Sequence, residues 1–169
     1  MPNQQTVLLI NSGVYESPSP YGGTETHVYY LANHLAKNGA KVHLVSDTSG
    51  AYFHENITLH PTNFNGTLLD KIGWVGYLMR HLIGGWKSYR VAKKLYNSDF
   101  VFDKIHCHGR FSSYFMTKFA KNRVIVTIHD SPPSKKSLLH SGAKYSTVVG
   151  TNFSRTKSLC TPNTISWWL

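Results

Sequence analysis

Three histidines fall where short apolar runs meet turn-forming residues. His106 and His108 lie in Ile105-His106-Cys107-His108-Gly109-Arg110, and His129 follows Val124-Ile125-Val126-Thr127-Ile128 and precedes Asp130-Ser131-Pro132-Pro133. A strand that ends this way delivers its imidazole to the edge of a sheet. There the ring can orient a ligand, move a proton or bind a metal. Alternate strand residues share a side, so His106-x-His108 with His129-Asp130 invites a metal reading. One ring of the pair is nonetheless expected to point into the core. The favoured role is hydrogen bonding, and no metal is expected. Ser112, Ser113 and Ser131 lack the G-x-S-x-G setting of a hydrolase nucleophile.

A second candidate is the loop that runs from Asn11 through Pro18 and Pro20 to Tyr21-Gly22-Gly23-Thr24. Glycines at a helix start expose backbone N–H groups, and the helix N-terminus favours an anion such as a phosphate. The loop is neither G-x-G-x-x-G nor Walker A, so nothing in it specifies a dinucleotide or ATP. An ordinary glycine turn with Thr24 as N-cap remains the alternative. A third candidate is the stretch 71–94, with Lys71, Arg80, Lys87, Arg90, Lys93 and Lys94 and no acidic residue. Its apolar residues keep helical spacing. It reads either as a core helix with a solvated basic face or as a helix on anionic lipid, with Trp74, Arg80, Lys87 and Arg90 on the membrane face.

The elements that must position these groups alternate. Short β-branched runs fall at 7–11, 41–46, 57–61, 104–107, 123–128 and 146–149, with amphipathic stretches between them. That alternation predicts βαβ units and an open parallel sheet with helices on both faces. Val28, Leu31, Ala32 and Leu35 recur at i, i+3, i+4 and i+7, and Gly39 stands where a left-handed cap would end that helix. The long stretch 70–96 contains Gly73, Gly76, Gly84 and Gly85, which predicts a bend or break at Gly84–Gly85. Helices are also expected at 111–121 and 153–159.

The chain has 169 residues, 41% of them apolar, which suits a single domain with a real core. Its net charge of +10 is unevenly placed: residues 1–70 hold two basic and five acidic residues, residues 71–169 sixteen and three. Such a charged half suits an anionic surface or a phosphorylated ligand. Nucleic acid is not expected, because no recognition signature accompanies the charge. Cys107 and Cys160 form neither a disulfide framework nor a zinc pattern. The first residues lack a basic, apolar leader, so a cytoplasmic protein is expected, peripheral on the membrane if the basic helix meets lipid. The last residues, Ser166-Trp167-Trp168-Leu169, either pack back on the sheet or are covered by a partner domain.

Taken in order, these segments resemble the amino-terminal domain of family 4 glycosyltransferases. The residues PSPYGGTETHVYYLANHLAKNGAKVHLVSD are similar to that family's "P…GG-x-E-x-H-V…L-A…L…G-H-x-V" stretch, and KIHCHGRFSSYF to its "D-V-V-H-x-H" strand and loop. VIVTIHD is similar to its "T-x-H-D" strand end, STVVGTNFSRTKSL to its "V-x-V-S" strand and helix, and TPNTI to its "I-x-N-G" exit.

The resemblance implies a Rossmann-like domain over residues 1–160 and the start of a linker or docking tail over 161–169. It implies retaining transfer of a sugar from a nucleotide-sugar donor to a glycan, lipid-linked or other acceptor, with no permanently bound cofactor and no required metal. His129 would sit at the transferred sugar and Gly22 and Gly23 beside the donor diphosphate. Tyr21, His108, Arg110 and Asp130 would line the acceptor side. The family's nucleotide-binding second domain, with its Glu-x7-Glu signature, has no counterpart in these residues. The expectation is an acceptor-binding half that is inactive alone. A non-catalytic binding module for anionic lipid or nucleic acid is the alternative.

Overall fold

The computed structural model describes residues 4–11, 16–18, 23–48, 50–66, 68–120, 124–129 and 147–150. They form one six-stranded sheet of order β3-β2-β1-β4-β5-β6. The strands are β1 (Thr6–Ile10), β2 (Lys41–Val45), β3 (Ile57–His60), β4 (Lys104–His108), β5 (Val124–Ile128) and β6 (Thr147–Gly150). The first five are parallel. β6 departs from the all-parallel expectation and pairs antiparallel with β5, Ile128 opposite Thr147. A strand entering directly beside the end of its neighbour runs antiparallel without a crossover.

Helices cover both faces, as the alternating pattern predicts. On one face, α1 (Gly23–Lys37) buries Val28, Ala32 and Ala36 against Val7 and Leu9 of β1 and Val42 and Leu44 of β2. It ends as the sequence suggests. Ala40 N–H reaches Leu35 O at 3.1 Å and Gly39 N–H reaches Ala36 O at 3.0 Å, with Gly39 at φ 88°. On the other face, α2 (Gly73–Tyr96) and α3 (Arg110–Phe119) cover Leu8, Ile10, Ile105, Cys107, Val124 and Val126. Cys107 is fully buried there, and burial pushes its thiol pKa up. The buried thiol packs as a small apolar side chain.

The break expected at Gly84–Gly85 is absent: α2 is continuous through both glycines, and a 3₁₀ turn (Leu69–Ile72) precedes it. Both glycines are buried, and α3 crosses at Gly85. A Cβ on Gly85 would stand 2.7 Å from Phe111 Cβ and 3.2 Å from Ser112 N. The glycines permit close packing and leave the helix unbroken. The 153–159 helix and the 160/161 boundary lie outside the described residues.

Polar side chains fix the edges of the sheet. Thr6 N–H donates to Asp103 Oδ2 at 2.7 Å while Asp103 N–H donates to Thr6 O at 2.9 Å, which locks the starts of β1 and β4 in register. After β2, the Asp47 carboxylate accepts from Thr62 N–H (2.8 Å), Asn63 N–H (2.9 Å) and the Thr62 hydroxyl. It holds the chain leaving β3 in a turn with Asn63 at φ 52°. Replacing Asp47 by alanine is therefore expected to cost about 2 kcal/mol, since hydrogen bonds to a charged acceptor are lost together. Urea unfolding measures the loss, and hydrogen exchange should speed up at the Thr62 and Asn63 amides. Unchanged exchange there would show that the carboxylate does not hold the turn.

Candidate functional site

The strand order reverses direction between β1 and β4, and in open α/β sheets the crevice beyond the carboxyl ends at that point takes ligands. Four imidazoles gather there. Along β4, Ile105 and Cys107 face the α2–α3 core, so His106 and His108 both fall on the α1 side. Along β5, Val124 and Val126 face that same core, which puts Thr127 and His129 beside the two histidines. The expectation that one ring of the His106/His108 pair points into the apolar core is thus corrected. Instead the sheet carries a polar strip on its α1 face.

The strip is internally bonded. His106 Nε2 lies 2.7 Å from Thr127 Oγ1, and His108 Nδ1 lies 3.0 Å from His129 Nε2. The His106 and His108 rings have centroids 4.2 Å apart, and those of His108 and His129 are stacked at 5.3 Å. His27, on the second turn of α1, closes the group at 5.6 Å from the His108 ring and 5.2 Å from the His129 ring. Nothing in its local sequence singled out His27 from other helical polar residues. Its place in the E-x-H segment of the resemblance was the available signal.

Burial and mutual repulsion disfavour the charged form of three of these rings. Burial lowers the pKa of His27, and burial with the neighbouring His27 and His129 lowers His106 to about 4. His108 is fully buried and held well below the usual histidine range, first by burial and then by His106, His129 and His27. Its Nε2 has no hydrogen-bond partner among the described residues. His108 Nδ1 and His129 Nε2 share one proton between them, so the tautomer of one ring sets that of the other. His27, His108 and His129 also offer ring nitrogens that all lie within 4.8 Å of one another, a donor set able to take a divalent transition metal.

Around the strip the backbone is shaped for the turn. Gly109 adopts φ 96°, ψ 150°, which lets β4 turn straight into α3. The Ser112 hydroxyl then donates to His108 O at 3.1 Å. On the opposite side, Asn11 Nδ2 donates to Ser46 Oγ at 3.0 Å, and Ser17 Oγ donates to Glu25 O at 2.7 Å. Glu25 is buried in the first turn of α1, where a carboxylate complements the helix dipole.

The residues picked out from sequence divide by place. His108 and His129 come together, and Gly23 opens α1 at the same edge. Arg110 opens α3 there too. Tyr21, Gly22 and Asp130 lie outside the described residues. Of the residues expected on a membrane face, Trp74 and Arg90 are exposed, and Lys87 is half-buried with its ammonium donating to Asn63 O at 3.1 Å. Arg80 does not belong to that face. It is buried against the chain leaving β3, where a Cβ on Gly66 would stand 2.9 Å from Arg80 Cγ.

Strand order, edge and imidazole strip together define an open α/β domain with a histidine cluster at the carboxyl ends of β4 and β5, the edge where such sheets take ligands. The sequence model of Glycosyltransferase Family 4 matches residues 21–156, most of the chain and all four histidines. The chain belongs to this family. No curated protein matches it closely enough to count as a relative.

Proposed function

We propose that this domain is the acceptor-side half of a retaining glycosyltransferase. It would serve sugar transfer from a nucleotide-sugar donor to a glycan or lipid-linked acceptor, with a second, nucleotide-binding domain or subunit closing the cleft. The observation that carries this reading is the strip of imidazoles facing the start of α1 in a chain of this family. Transfer with a departing diphosphate needs donors for the phosphate oxygens and polar groups that orient an oxocarbenium-like sugar. Backbone N–H groups at Gly22 and Gly23 serve the first need. His129 serves the second, hydrogen-bonding the sugar in the geometry that His108 fixes from behind. His106 and Thr127 hold His108 in turn, and Tyr21, Arg110 and Asp130 are assigned to the acceptor side. In this reading the imidazoles act as hydrogen-bonding groups with no metal between them.

The test uses the 169-residue chain labelled with ¹⁵N-histidine, in the presence of EDTA, titrated with uridine- and guanosine-diphosphate sugars. Saturable shifts of the His129 and His108 ring signals are expected with at least one of them, and no turnover by the chain alone. If donors move other ring signals and leave those of His108 and His129 in place, the site assignment falls. Efficient transfer by the chain alone would refute the need for a second half.

A further inference from the structure

α2 is longer than the sheet it covers. Its 24 residues span about 36 Å, against about 17 Å for the five-residue strands beneath. The residues that join the core lie in its second half, with Ala92 buried and Tyr89, Val91, Leu95 and Tyr96 packed around it. α2 leads into β4, so its second half lies over the sheet and its first half extends past the carboxyl edge, the edge that carries the histidines. The sequence keeps an apolar helix there with no strand beneath it. Trp74 is 77% exposed and Tyr77 60%, and Val75, Leu78 and Met79 are exposed as well. Leu68 and Ile72 of the preceding turn extend the same patch.

Charge accompanies it. From Lys71 to Ser98 the chain has no carboxylate. Val75, Met79, Trp86, Arg90 and Lys94 fall within one arc of the helix, apolar toward the overhang and basic toward the sheet. The basic end forms a groove of about 620 Å³ lined by Trp86, Tyr89, Arg90, Lys93 and Lys94. There Arg90 stacks over the Trp86 ring at 4.9 Å and Lys93 lies 5.9 Å from the Tyr89 ring. A second protein would need matching acidic groups at one end and a fitted apolar pocket at the other. An anionic bilayer supplies both without fitting: acyl chains for the overhang, phosphate headgroups for the basic aromatic groove. No helix among the described residues is long and apolar enough to cross the membrane, so the contact is superficial.

We propose that the overhanging start of α2 is a docking surface for an anionic lipid bilayer, and that it holds the histidine edge at the lipid–water interface. The binding itself does not depend on the glycosyltransferase reading.

Co-sedimentation of the chain with vesicles of equal parts phosphatidylglycerol and phosphatidylcholine tests it. Binding is expected to be at least tenfold tighter than to phosphatidylcholine alone and to fall steeply between 0.05 and 0.5 M salt. Val75→Ser with Met79→Ser, the exposed apolar residues on the same arc as Arg90 and Lys94, should lose tenfold or more. Arg90→Glu with Lys94→Glu should lose as much, at about fivefold for each charge removed. Tyr30→Ser, an exposed aromatic on α1, should bind as the parent does. Each variant is matched to the parent by urea midpoint, which separates lost binding from lost folding. Failure to bind anionic vesicles, or undiminished binding by the Val75/Met79 variant, overturns the proposal. So does self-association that requires Val75 and Met79 while vesicles are ignored, which would give the face to a second copy.

Discussion

Lowering the pH from 7.5 to 5 is expected to remove about 4–6 kcal/mol of stability, enough to unfold much of the population at the lower pH. Three histidines contribute most, and His27 and His60, lowered by burial as well, act in the same direction. Burial, together with His60 and Lys41, lowers His43 to about 4. His106 is lowered equally, and His108 lies well below its usual range. In the unfolded chain each titrates near 6.5. Between 6.5 and about 4, unfolding therefore takes up protons that the folded state refuses, and stability falls as the pH falls. Above 7 all three are neutral in both states and stability is level. Each contributes up to about 1.4 kcal/mol per pH unit within that window. Urea midpoints at pH 7.5, 6.5, 5.5 and 5 measure the curve. His43→Leu, which removes one titrating group far from the site, should reduce the slope by about a third. A midpoint that stays constant down to pH 5 would show that these rings are solvated.

The same burial explains what the sequence could and could not reveal. Periodicity exposed the sheet and its helices because the central strands β1, β2 and β4 bury both faces and α1 buries one stripe, and those are linear patterns. The Gly39 cap was legible for the same reason: its hydrogen bonds are local. The antiparallel entry of β6 was not, since nothing in Thr147–Gly150 encodes direction. The Gly84–Gly85 pair looked like a break because locally it is one. Only the crossing of α3 supplies its purpose. Arg80 looked solvated within a basic run until the chain leaving β3 covered it. His106 and His108 were visible as a strand end, yet the side they take depends on which face α2 and α3 occupy. His27 joins them from about eighty residues away in sequence, a contact that spacing cannot encode.

Replacing Gly85 by valine should cost about 2–3 kcal/mol, lowering the melting temperature by about 5–10 °C. The new side chain would start 2.7 Å from Phe111 Cβ and 3.2 Å from Ser112 N, so helix backbone on both sides has to separate. A gain of a few tenths of a kcal/mol in helix propensity offsets little of that. What gives way is the first turn of α3, which follows directly from His108 and Gly109 and receives the Ser112–His108 hydrogen bond. The damage should therefore reach the site, and the ring signals of His108 and His129 should move in the folded variant. Gly39→Ala separates this from simple destabilisation. No neighbouring atom lies within 4 Å of its added Cβ, and the left-handed backbone at φ 88° costs it about 1 kcal/mol. It should lose stability and leave the histidine signals unmoved. If Gly85→Val melts like the parent, the α2–α3 contact is not what fixes the histidine edge. If both variants shift the histidines alike, the site follows global stability and owes nothing to that contact.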